Sequence, residues 1–138
     1  MLVLSMQFDY AMLALRHLAQ APENILVAAR EISARYTIPP EMLAKILQRL
    51  AREGVVRSTP GPSGGYALVR SLDDVSVADV LRIVEGPLHF VRCTGESCCA
   101  LESSCDILEP MRIVQERVVE TLEGIRVSTL VCGQPAAR

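Results

Sequence analysis

Residues 38–70 read IPPEMLAKILQRLAREGVVRSTPGPSGGYALVR, and the change of period inside this stretch decides the fold. Met42, Leu43, Ile46, Leu47 and Leu50 recur at helical spacing on one face, while Glu41, Lys45, Gln48, Arg49 and Arg52 occupy the other. The pattern predicts a helix from Glu41 to about Glu53, with Pro40 in its first turn, where a missing amide costs nothing, and Gly54 as its C-cap. Helical spacing then stops. Two short runs of strand character, Val55–Thr59 and Tyr66–Val69, flank the six residues Pro60–Gly65, which reads as a hairpin.

Upstream, Phe8, Met12, Leu15, Leu18 and Ala19 give a first helix with Asp9 near its positive end, and Val27–Tyr36 gives a short second one. Thr37–Pro40 is left as the connection to the third. Downstream, Val77–Val84 is helical, with Ser76 as N-cap, Asp79 as an acidic capping-box partner, and Gly86-Pro87 as the stop. From Leu88 to Asp106 no period is visible, and four of the five cysteines lie there. Ile107, Met111, Val114, Val118, Leu122 and Ile125 then step by fours and threes, a seam that predicts one long final helix.

A length of 138 residues and an apolar share of 50% fit one domain with a real core. The net charge of −2 conceals an asymmetry. Residues 1–70 hold eight Lys+Arg against five Asp+Glu, and residues 71–138 hold six against eleven, so a basic front of +3 precedes an acidic back of −5. No run of 18 apolar residues and no basic leader is present, so no membrane partner and a cytoplasmic location are expected. A Ser-His-acid set, a phosphate-binding loop, a dinucleotide glycine fingerprint and HExxH are all missing, which argues against an enzyme.

The order helix, turn, basic-faced helix and Gly-rich hairpin is that of a winged helix-turn-helix. A helix about 10–12 Å across fills the major groove, so base edges are within reach of its exposed N-terminal residues. Pro40, Glu41, Lys45, Gln48 and Arg49 are the candidates on the helix. On the hairpin they are Ser63, Gly64, Gly65 and Tyr66, with Arg57 and Arg70 flanking a tip whose small residues allow close approach to phosphates. A protein-protein adaptor of this fold would not need such basic faces.

The five cysteines are an odd number in a chain without an export signal, which argues against a disulfide framework. Cys93, Cys99 and Cys105 form a regular C-x5-C-x5-C, with Cys98 as an alternative to Cys99. Three such thiolates suit an iron–sulfur cluster, zinc or cuprous copper, and the tight C-x2-C knuckle usual for zinc is missing. Without metal, the same thiols could act as a redox switch. His89 reads as structural, and Cys132 as a small apolar residue at a helix end.

Asp9-Tyr10-Ala11, the helix-turn-helix of Ile32–Val55 and above all Ser63-Gly64-Gly65-Tyr66-Ala67-Leu68 resemble the Rrf2 family of bacterial winged-helix transcriptional regulators, in its iron–sulfur type. The resemblance runs from Leu4 to about Val131. It implies a mainly α fold with a small β-hairpin wing, in which residues 1–87 are the winged helix-turn-helix region and 88–106 the cluster loop. Residues 107–132 would be a dimerisation helix and 133–138 a tail. It further implies a homodimer on a near-palindromic double-stranded DNA operator, with a [2Fe–2S] or [4Fe–4S] cluster on Cys93, Cys99 and Cys105. One branch of the family takes a fourth ligand from a histidine three residues after the last cysteine, and here that position is Leu108. Another branch can use the first-helix aspartate of the other subunit, which Asp9 matches. A carboxylate is a harder, more labile ligand than a thiolate and suits a sensor of nitric oxide, iron–sulfur or redox status.

Overall fold

In the computed structural model, which describes residues 3–95 and 99–133, the chain opens on helix α1 (Met6–Gln20). The Ser5 hydroxyl caps this helix by accepting from the Phe8 amide at 3.3 Å and donates to the Glu85 carboxylate. Helices α2 (Ala29–Tyr36) and α3 (Pro40–Arg52) follow, joined through Thr37, which adopts the left-handed conformation at φ 55°. A non-glycine residue there costs about 1–3 kcal/mol. The tightness of the turn is secured by two bonds: the Ile38 amide donates to Ser33 O at 3.1 Å, and the Ser33 hydroxyl donates to Ile38 O at 2.6 Å. Ile38 is thereby driven into the core.

Leu43, Ile46, Leu47 and Leu50 of α3 are fully buried, each contributing about 1.5–3 kcal/mol by leaving water. The helix ends at Gly54 with φ +72°, whose amide donates to Ala51 O, while Val55 N–H reaches back to Leu50 O. Strands β1 (Val56–Thr59) and β2 (Gly65–Leu68) then pair antiparallel, with Val56 opposite Leu68 and Thr59 opposite Gly65. Helix α4 (Val77–Glu85) carries the expected capping box: Asp79 N–H donates to Ser76 Oγ at 3.1 Å and Ser76 N–H to Asp79 Oδ2 at 2.9 Å. The architecture is mainly helical with a two-stranded wing, as the sequence implies.

Two expectations are corrected. The second helix does not begin at Val27, because Val27 and Tyr66 exchange backbone bonds of 2.9 and 2.8 Å, an isolated bridge that sets a third chain segment against the wing. The final helix over 107–132 is two helices, α5 (Leu108–Gly124) and α6 (Val127–Val131). Between them the chain extends beside residues 75–77: Val77 N–H donates to Ile125 O at 2.9 Å and Val127 N–H to Val75 O at 2.8 Å. This break turns Val127 and Val131 into the core under α1, which a continuous helix would carry past it. Among the described residues no helix is long and apolar enough to cross a membrane.

Candidate nucleic-acid interface and cysteine loop

Burial of the apolar face of α3 leaves Pro40, Glu41, Lys45 and Gln48 exposed along one side of the helix. Arg49 does not join them, and this is a correction. Its Nη1 donates to the backbone oxygen of Val84 at 2.7 Å and to Gln7 Oε1 at 3.1 Å, so the guanidinium points back into the protein. The reason is positional: Arg49 lies between the buried Ile46 and Leu50 and at the edge of the polar face, where a long stem reaches inward to an unsatisfied helix-end carbonyl.

On the wing, Arg57 and Ser63 are exposed. Arg70 is exposed as well, with Nη2 donating to Asp74 O at 2.9 Å. Tyr66 is half-buried and packs against the core, anchoring the wing rather than standing free of it. Gly64 and Gly65 have structural causes of their own. A Cβ on Gly64 would lie 2.0 Å from Thr59 O, and one on Gly65 would lie 2.5 Å from Val27 O. The small residues at the tip are therefore dictated first by backbone approaching backbone.

A cleft of about 360 Å³ runs between the first turn of α2 and the wing, lined by Arg30, Ser58, Pro60 and Gly64. Arg30 is exposed there and escapes a reading of α3 and the hairpin alone. The signal available in the sequence was an arginine within the first turn of the helix that precedes the turn.

The cysteine loop leaves α4 at Gly86 and, among its described residues, contains two single 3-10 turns, Arg92–Thr94 and Glu102–Ser104. Cys93 lies within the first, and Cys105 caps the second. Cys99 precedes the second, its carbonyl accepting from the Glu102 amide at 3.0 Å. All three are half-buried free thiols. Cys98 lies outside the described residues. Cys132 is exposed rather than packed. Asp9 is exposed on the first turn of α1. Among the described residues no three His, Cys, Asp or Glu side chains converge into a metal-holding group, so the single chain does not bring Cys93, Cys99, Cys105 and Asp9 together. The donor chemistry, three soft unpaired thiols in or beside short 3-10 turns, suits a soft-metal core.

Helix α5 borders this loop. The Gln115 side chain holds it on two sides, donating to Leu88 O at 2.6 Å and accepting from the Phe90 amide at 2.8 Å. None of the 17 residues of α5 is buried, although Leu108, Met111, Val118, Val119 and Leu122 are half-buried and Ile113 and Val114 are exposed.

Residues 4–133 match the profile of the Rrf2 family, described as iron-dependent transcriptional regulators. A Mycobacterium tuberculosis protein named as an HTH-type transcriptional regulator, Rv1287, is 40% identical over 92 residues, 67% of this chain and 57% of the relative. The match thus spans little more than half of that relative's length. The structure of CymR (YrzC), the global cysteine regulator of B. subtilis, superposes with a TM-score of 0.74 at 21% identity, covering 98% of this chain and 100% of that one. T. potens IscR superposes with a TM-score of 0.65 at 26% identity, covering 99% and 94%. With its wing, its two-faced third helix and its cysteine loop accounted for, and with nearly its whole length matched, the chain belongs to the Rrf2 family of transcriptional regulators.

Proposed function

We propose that the protein is a homodimeric, sequence-specific DNA-binding regulator, acting in the cytoplasm and without catalytic chemistry, whose hold on DNA is set by its cysteine loop. The observation that carries the reading is the two-sided α3: one face locked into the core and Pro40, Glu41, Lys45 and Gln48 exposed on the other. Lys45 suits phosphate or guanine, and Gln48 can read adenine in bidentate fashion. Arg30, Arg57, Ser63 and Arg70 contact backbone phosphates on either side, with the Gly64-Gly65 tip allowing close approach. The wholly unburied α5 supports dimerisation, since an apolar seam on a 17-residue helix asks for a second copy.

Cys93, Cys99 and Cys105 supply three thiolates to an iron–sulfur cluster, [2Fe–2S] or [4Fe–4S], with Asp9 of the second subunit as the fourth ligand and Cys98 as the alternative to Cys99. Support comes from the free thiols, from their irregular segment, and from the iron dependence in the family's description. When bound, such a cluster supplies an iron centre that responds to small oxidants or nitric oxide. The protein's own part is to hold the loop between α4 and α5 and to present α3 to the groove.

A thiol switch on the same cysteines, or a zinc site, is the second reading, favoured by the lack of convergence among the described donors. One experiment separates them: anaerobic reconstitution with ferrous iron and sulfide, followed by visible spectroscopy and selection of duplexes from a random pool. The iron reading expects a coloured protein and a two-fold symmetric site with half-sites about 10–10.5 base pairs apart. Colourless protein with stoichiometric zinc would end the iron reading, and an asymmetric single half-site would end the dimer.

A further inference from the structure

We propose that Arg49 and Gln115 are positioning residues that link the cysteine loop to the recognition helix, one at each end of the segment 84–90. The inference rests on the regulatory reading above but not on which chemistry changes the loop.

The geometry is a short, stiff path. Arg49, in the last turn of α3, donates to Val84 O, one of the α4 carbonyls that the helix end leaves without an intrahelical partner. A cation at a helix C-terminus is also favoured by the dipole. Four residues on, Leu88 O accepts from Gln115 of α5, and two further on the Phe90 amide donates to the same side chain. An amide that both donates and accepts to residues two apart imitates a neighbouring strand, so the backbone of 88–90 is fixed in register. Between the two anchors lie Gly86, at φ +91°, and Pro87, whose ring removes one dihedral. Beyond them Val91 is buried, and its carbonyl accepts from the Thr94 amide at 3.1 Å and the Thr94 hydroxyl at 2.8 Å, closing the turn that holds Cys93.

A displacement of Cys93 therefore has few soft dihedrals to absorb it before Phe90 and Leu88, and these are held to α5. Because Gln115 makes residues 88–90 and α5 move as one piece, the displacement is passed back to Val84 O, where Arg49 grips it for α3. The second bond of Arg49, to Gln7 Oε1 on α1, ties the same point to the helix that carries Asp9.

Two conservative variants of the full chain test this. Arg49→Met keeps an unbranched stem and helix propensity but removes both bonds that Nη1 makes, and Gln115→Met keeps length and helix propensity but removes both of its bonds. The affinity of metal-free protein for a duplex selected by the wild type is compared with that of protein reconstituted with ferrous iron and sulfide. The wild-type ratio is expected between about 5- and 150-fold, falling below about twofold in either variant, with iron content and helix content retained. Variants that keep the wild-type ratio overturn the proposal.

A second arm needs no metal. Amide hydrogen exchange of metal-free Gln115→Met is expected to speed about tenfold at Phe90, and to speed also in residues 49–52 relative to wild type, whereas adding Gln115→Met to Arg49→Met leaves exchange in 49–52 as in Arg49→Met alone. Faster exchange at Phe90 with unchanged protection of 49–52 overturns the link. A wild-type ratio of one would instead sink the cluster reading, leaving the exchange arm to decide the relay by itself.

Discussion

Replacing Val114 with Glu should convert the protein to a monomer while leaving its fold intact. Val114 is 47% exposed at the middle of α5, and Ile113 beside it is 56% exposed. Full burial of such a side chain contributes about 1.5–3 kcal/mol, so covering the remaining half of Val114 in a dimer contributes about 1 kcal/mol per subunit. A carboxylate in its place must also be desolvated or solvated by opening the contact, at about 1 kcal/mol or more. Two-fold symmetry applies both terms twice, giving about 4 kcal/mol and about a thousandfold weaker dimerisation. Glu is a better helix former than Val, so α5 itself gains rather than loses propensity. Sedimentation velocity across a concentration series reads the dimer constant, and far-ultraviolet circular dichroism reads the helix. An unchanged dimer constant with normal helicity would place the contact elsewhere on the surface and refute the seam.

Lys45→Ala should flatten the dependence of DNA affinity on salt by about 0.9 in log–log slope, as one phosphate contact is lost. Arg49→Ala should leave that slope unchanged and lower folding stability by about 1–2 kcal/mol, because its bonds to Val84 O and Gln7 are internal; a slope change at Arg49 would reverse its assignment. Gly65→Ala should destabilise the wing by about 1–3 kcal/mol, since the new methyl meets Val27 O, and thermal unfolding with the wild-type midpoint would contradict that close approach. Cys99→Ala should abolish the visible absorption of iron-reconstituted protein whereas Cys98→Ala should retain it, and the opposite pattern would move the ligand to Cys98.

The parts of the fold legible in the sequence are those fixed by local rules. The apolar positions of α3 recur with a helix's period, the Ser76–Asp79 capping box needs only four residues, and the glycines of 64–65 sit where a tip must turn. The misread parts depend on partners distant in sequence. Val27 sits in an apolar run that fits either period, and only Tyr66, 39 positions away, makes it a strand residue. The apolar spacing runs on to Ile125, one residue past the end of α5, which masks the break, although Gly124 marks it. Arg49 matched the polar face by residue type, and only the α4 terminus turned it inward. The spacing of Cys93, Cys99 and Cys105 is visible in one chain, but their convergence is not a local property, because ligand geometry is set by the metal and by any residue from a second chain.

The charge asymmetry acquires a direction in the structure. Of the exposed cations, Arg30, Arg35, Lys45, Arg52, Arg57 and Arg70 lie ahead of α4, and Arg82, Arg92, Arg112, Arg117 and Arg126 lie from α4 onward, where Glu109, Glu116, Glu120 and Glu123 are exposed along α5. Three of those acids are engaged by arginines, in the Arg112–Glu109 and Arg117–Glu120 pairs along the helix and the Arg82–Glu123 pair to α4, which moderates repulsion along α5. Screening limits each field to about 8 Å at physiological salt, so DNA senses the face it approaches rather than the net −2 of the molecule. A polyanion therefore meets a cationic face at the wing and α3, while α5, where the cysteine loop is held by Gln115, carries four carboxylates against two arginines.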